Sequence, residues 1–70
     1  MSLSMVALGE SKIIAGITGK EDVKRHLQDM GFVKGANVQV VSENPSGIIL
    51  LIKGVKIAIN RGLASKIIVV

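Results

Sequence analysis

From Asn44 to Ile59 the chain reads turn, strand, turn, strand with nothing left over, and this limits its fold more than any other feature. Asn44-Pro45-Ser46-Gly47 is turn chemistry throughout, with Pro favoured at the first central position of a β-turn. Ile48–Ile52 is an aliphatic run of strand length, Lys53-Gly54 permits a tight reversal, and Val55–Ile59 keeps a period of two. Strands joined this tightly lie side by side, so an antiparallel sheet is dictated before the rest is read.

The remaining segments extend that sheet. Lys12–Ile17 carries Ile13, Ala15 and Ile17 at period two, with Gly16 marking a bend, and Asn37–Glu43 puts Val38 and Val40 on one face. Asn60–Ser65 breaks the pattern and reads as a single helical turn; Lys66–Val70 is a last strand, placed to pair with the first and close a barrel. Between the first two strands lies a helix. Thr18 and Glu21 have the spacing of a capping box, Asp22 suits the same end of the helix dipole, and Val23, Leu27 and Met30 form a narrow apolar stripe. Glu21–Arg25 and Arg25–Asp29 have i,i+4 charge spacing on another face. Gly31 suits the left-handed position that ends a helix, Phe32 folds back onto the helix end, and Gly35 supplies a second turn. The expectation is a mainly-β chain: one SH3-like five-stranded barrel over residues 1–70, with one short α-helix between strands 1 and 2. Met1–Ser4 reads as a cloning remnant ahead of a natural Met5.

The chemistry a 70-residue domain can house is limited, because it buries only about 60% of the surface its unfolded chain exposes. With no Cys and no dense His or acidic cluster, the core must come from aliphatic packing, since Phe32 is the only aromatic residue. No apolar run approaches the roughly 18 residues of a spanning helix, and the first residues lack the basic and apolar regions of a secretory signal. A cytoplasmic protein is expected, with no direct membrane insertion. The net charge of +4 is spread over Lys12, Lys20, Lys24, Arg25, Lys34, Lys53, Lys56, Arg61 and Lys66 without a basic run, which reads as surface solubility. Barrels that bind single-stranded nucleic acid stack bases on several aromatic side chains, and one Phe at a helix end makes no such platform.

His26 has Asp22 at i−4 and Asp29 at i+3, but metal sites converge three or four ligands, so this reads as a solvated helix face. No nucleophile triad and no phosphate loop is legible, because Gly31 and Gly35 follow the helix instead of opening it. Neither an enzyme nor a cofactor is expected. The strand faces say more. If Ile13, Ala15, Ile17, Val38, Val40, Ile48, Leu50, Ile52, Val55, Ile57, Ile59, Ile67 and Val69 point inward, then Ile14, Val41, Ile49, Leu51, Ile68 and Val70 point the other way. Leu3, Val6 and Leu8 and the helix stripe cover some of these, and the remainder predict an exposed apolar patch, the mark of a partner or oligomer surface.

In order and spacing these residues resemble the FeoA family, small accessory proteins of bacterial ferrous-iron transport. The resemblance runs from about Ala7 to Val70: Leu8-Gly9 ahead of Ile14 and Ile17, then Leu27-x-x-Met30-Gly31-Phe32 and Lys34-Gly35-x-x-Val38-x-Val40. It continues through Asn44-Pro45-x-Gly47, Lys53-Gly54-x-x-Ile57-Ala58-Ile59, Ala64 and Ile67-x-Val69. It implies a stand-alone, non-enzymatic cytoplasmic partner of the FeoB-type membrane iron permease, acting at its GTP-binding portion; iron-dependent repressors carry a similar domain at their C-terminal end. Ile49, Leu51 and Ile68 depart from the family, whose members often carry polar or charged groups there, and this favours self-association. The expected docking surface is Ile49, Leu51 and Ile68, with Lys53, Lys56 and Arg61 steering it towards an acidic partner. Two other classes fit a small basic barrel: RNA binding, and a metal-sensing or oligomerising SH3-like module.

Overall fold

The computed structural model describes all 70 residues. Five strands, β1 (Ser11–Ile17), β2 (Asn37–Asn44), β3 (Gly47–Ile52), β4 (Val55–Asn60) and β5 (Ile67–Val69), form one antiparallel sheet in the order β4-β3-β2-β1-β5. Helix α1 (Glu21–Asp29) joins β1 to β2, helix α2 (Arg61–Ala64) joins β4 to β5, and a 3-10 turn occupies Leu3–Met5. The mainly-β, SH3-like architecture with its helix between strands 1 and 2 is the one expected. The two end strands, β4 and β5, do not pair with each other; α2 spans the gap between them, with Ala64 buried in the core. Strand β5 pairs with β1 as expected, and what remains between β4 and β5 is bridged by packing without strand pairing.

Why the chain turns where it does is visible in the backbone. Met30 caps α1, Gly31 follows at φ +104°, the Phe32 N–H donates to the Leu27 carbonyl and the Gly31 N–H to that of Gln28. These are the two bonds of a Schellman motif, and they drop Phe32 fully buried into the core. Between β2 and β3 the Asn44 Oδ1 accepts from the Ser46 N–H, the Ser46 hydroxyl and the Gly47 N–H, which fixes the corner. Lys53 (φ 51°) and Gly54 (φ 78°) both take left-handed conformations, as a two-residue type I′ hairpin requires.

The core is fourteen buried residues, all apolar, so no ionisable group lies inside. Val38, Val40, Ile48, Leu50, Ile52, Ile59, Ile67 and Val69 take their expected inward places, as do Leu27, Val23 and Met30 along the helix stripe. Several expectations fail. On β1 the faces are exchanged: Ile14 is buried and Ile13 is 39% exposed. The β1–β5 register shifts between Ile14 and Gly16, and a bulge there lets Ile14 and Ile17 both reach the core despite odd spacing. Val55, the first residue after the hairpin turn, is 56% exposed although its cross-strand partner Ile52 is buried; Leu8 is likewise exposed. The capping box does not form, for the Thr18 hydroxyl donates to the Lys66 carbonyl across the fold and Lys20 becomes the uncapped N-cap. The pairs Glu21–Arg25 and Arg25–Asp29 are replaced by Lys24–Glu21, at 3.8 Å.

The N-terminal residues belong to the fold. Leu3 and Val6 are buried, Ser2 bridges to Ile68, and the Val69 N–H donates to the Met1 carbonyl at 2.8 Å. Residues Met1–Ser2 thus cover the outer edge of β5, and only β4 keeps a sheet edge without a strand beside it.

Candidate partner-binding surface

The β3–β4 hairpin brings part of the expected surface together. Antiparallel register sets Leu51 opposite Lys56 and Ile49 opposite Ala58, all four on the face away from the core, while Gln39 of β2 flanks Leu51 from the other side. Ile49 and Leu51 are half-buried, Lys56 and Ala58 exposed. Apart from neighbouring strands, α2 is the one element in extended contact with β3 or β4, and its buried Ala64 places it on the inner side.

The other predicted residues are placed apart. Lys53 sits in the hairpin turn, at the end of β4 opposite Arg61, and the six residues of β4 put them about 20 Å from each other. Arg61 is also committed: its guanidinium donates to the Asn44 carbonyl at 3.1 Å and lies 4.0 Å from Glu43. Ile68 belongs to β5, at the opposite end of the strand order, half-buried beside Ser2. One contiguous group remains, Ile49, Leu51 and Lys56, with Lys53 at its end. Neither lysine has an acidic partner within ion-pair distance, since the structure has only the two ion pairs named above.

Two features of the surface are not legible in the sequence. The first is an open cleft of ≈ 310 Å³ where Gly47, Ile49, Ala58 and Asn60 meet, with Asn44 and Ser46 at one end. Gly47 lets the strands approach so closely that an added Cβ would lie 2.6 Å from the Ile59 carbonyl oxygen. A Gly read only as a turn residue gave the one available signal. The second is a separate exposed pair at the β1–β5 end of the sheet, Ile13 and Val70, which exchange backbone hydrogen bonds; Val70 takes its expected outward place, and the misread face of β1 hid Ile13.

Elsewhere the surface brings little chemistry together. His26 is exposed on α1, and no three His, Asp or Glu side chains converge anywhere in the molecule. Phe32, the sole aromatic, is fully buried and offers no stacking face. No helix is long and apolar enough to cross a membrane.

A five-stranded antiparallel sheet wrapped on an aliphatic core, with a single helix after its first strand and its polar variety confined to the outside, defines the class of small SH3-like barrels. The FeoA domain family model matches residues 1–70, and the chain belongs to that family. Among solved structures it is similar to an iron uptake regulatory protein, FeoA, with 36% identity and a TM-score of 0.91, covering 99% of this chain and 93% of that one. FeoA from Chlorobium tepidum shares 30% identity at a TM-score of 0.87, over 99% of this chain and 68% of the other. The zinc complex of Stenotrophomonas maltophilia FeoA is described as a prokaryotic SH3 domain protein and a candidate ferrous-iron transport activating factor. At 24% identity, a TM-score of 0.88 and coverage of 100% and 89%, it supports the fold alone. No curated protein sequence matches significantly.

Proposed function

We propose that this protein is a non-enzymatic, cytoplasmic accessory factor of ferrous-iron uptake that binds the FeoB-type permease at its cytoplasmic GTP-binding portion through the outer face of the β3–β4 hairpin. Family membership supports the setting. The observation that carries the docking face is the half-buried, outward-facing pair Ile49 and Leu51, beside Lys53 and Lys56, which have no acidic partner of their own. Aliphatic side chains at the centre of such a patch contribute affinity by leaving water, and the lysines speed encounter with an acidic surface. Arg61, held by Asn44 and Glu43, stiffens the far end of the hairpin instead of steering.

The test is a calorimetric titration against the GTP-binding domain of the same organism's permease, with GDP and with a GTP analogue. Saturable binding is expected, weakened at least about fivefold by Leu51→Lys, as for a central interface residue. Reversing Lys53 and Lys56 to Glu should slow association and flatten its salt dependence. Binding that ignores Leu51→Lys, or no binding in either nucleotide state, would refute this docking face.

A further inference from the structure

The sheet has two ends, and they are treated differently. Residues Met1–Ser2 cover β5, whereas β4 is bare. In a two-residue hairpin the pair next to the turn is hydrogen-bonded and pairs alternate from there, so Val55, Ile57 and Ile59 bond to β3. Lys56 and Ala58 therefore turn their N–H and C=O groups outward, and neither residue makes any other backbone hydrogen bond. Both are exposed, so their two donors and two acceptors form a short template for an added strand.

Beside that template lies the ≈ 310 Å³ cleft, which Ala58 and Ile49 line on the outer face. A side chain on the added strand opposite Ala58 would project to that same face and into the cleft; the one opposite Lys56, two residues along, would meet the ammonium group. We infer that the β4 edge binds an extended peptide segment of a partner protein by strand addition, taking an aliphatic residue in the cleft and an acidic residue, two positions away, against Lys56. A second copy of this chain fits less well, because it would bring another Lys56 to the same edge and no acid. This inference rests on reading the chain as a binding module, and adds the mode of binding and the kind of segment bound.

The experiment titrates the isotope-labelled full chain with two blocked heptapeptides of threonine, both with Leu at the third place, one with Glu and the other with Lys at the fifth. With the Glu peptide, saturable shifts and slowed hydrogen exchange are expected at the Lys56 and Ala58 amides, with roughly threefold to tenfold weaker binding of the Lys peptide. Lys56→Glu should invert that preference. Ala58→Pro removes an outward N–H that β3 does not use and should abolish binding; if it disturbs the fold, Ala58→Leu, which fills the cleft, should weaken it. Shifts confined to other strands, or equal binding of both peptides, would overturn the inference. So would a dimer that protects these amides without peptide, which would assign the edge to a second copy. Failure of both peptides beside Leu51-dependent binding of the GTP-binding domain would sink strand addition and leave the outer face standing.

Discussion

Gly47 is the residue on which the hairpin face depends most. Its φ is unremarkable, so conformational freedom is not the issue; space is, since a Cβ would stand 2.6 Å from a backbone oxygen that cannot swing away. Gly47→Ala should therefore destabilise by about 1–3 kcal/mol in chemical unfolding, as overpacking does. Gly16→Ala is the control: nothing lies within 4 Å of an added Cβ and φ is not positive, so its effect should be within about 1 kcal/mol of neutral. Equal losses for the two would remove the steric account. Asn44 and Gly31 were legible because their partners are a few residues away along the chain. Thr18 was not, because its hydroxyl chose the Lys66 carbonyl, 48 positions off, over a helix N–H three residues on. Local spacing proposes such a bond, and tertiary proximity decides it.

Among the elements, the N-terminal 3-10 turn departs furthest from what the sequence suggests. Three residues carry no periodicity, and Met1–Ser4 reads as a cloning remnant; Leu3 is nonetheless fully buried, as its reading as a covering residue implied, and Ser2 lies against β5. Leu3→Ala should cost about 2–5 kcal/mol by leaving a cavity in a small core, whereas Met5→Ala, 70% exposed, should stay within about 0.5 kcal/mol. Paired urea melts decide it, and a silent Leu3→Ala would mean that this turn merely rests on the barrel. The strands were read well where alternation is unbroken, as on β3, whose Ile48, Leu50 and Ile52 are all buried. On β1 a bulge inserts one residue and exchanges the faces, and period two alone cannot register that.

At the scale of the whole molecule, the fold buries no polar side chain and leaves two kinds of unfinished surface: a half-buried aliphatic face on β3 and an unpaired edge on β4. The candidate surface was half legible. Ile49, Leu51, Lys53 and Lys56 cluster because they are neighbours in one hairpin, which the sequence spells out; Ile68 and Arg61 fall away because strand order and a corner hydrogen bond are long-range facts. The cleft at Gly47 needed the distance between two strands, which no residue pattern contains. Docking of the partner on the β3–β4 outer face is open to a backbone-amide footprint of the labelled protein with the unlabelled GTP-binding domain of its permease. Perturbation should begin at Ile49, Leu51, Lys56 and Ala58 and spare α1. A footprint centred on Ile13, Ile68 and Val70 would contradict it and move the docking site to the β1–β5 side of the sheet.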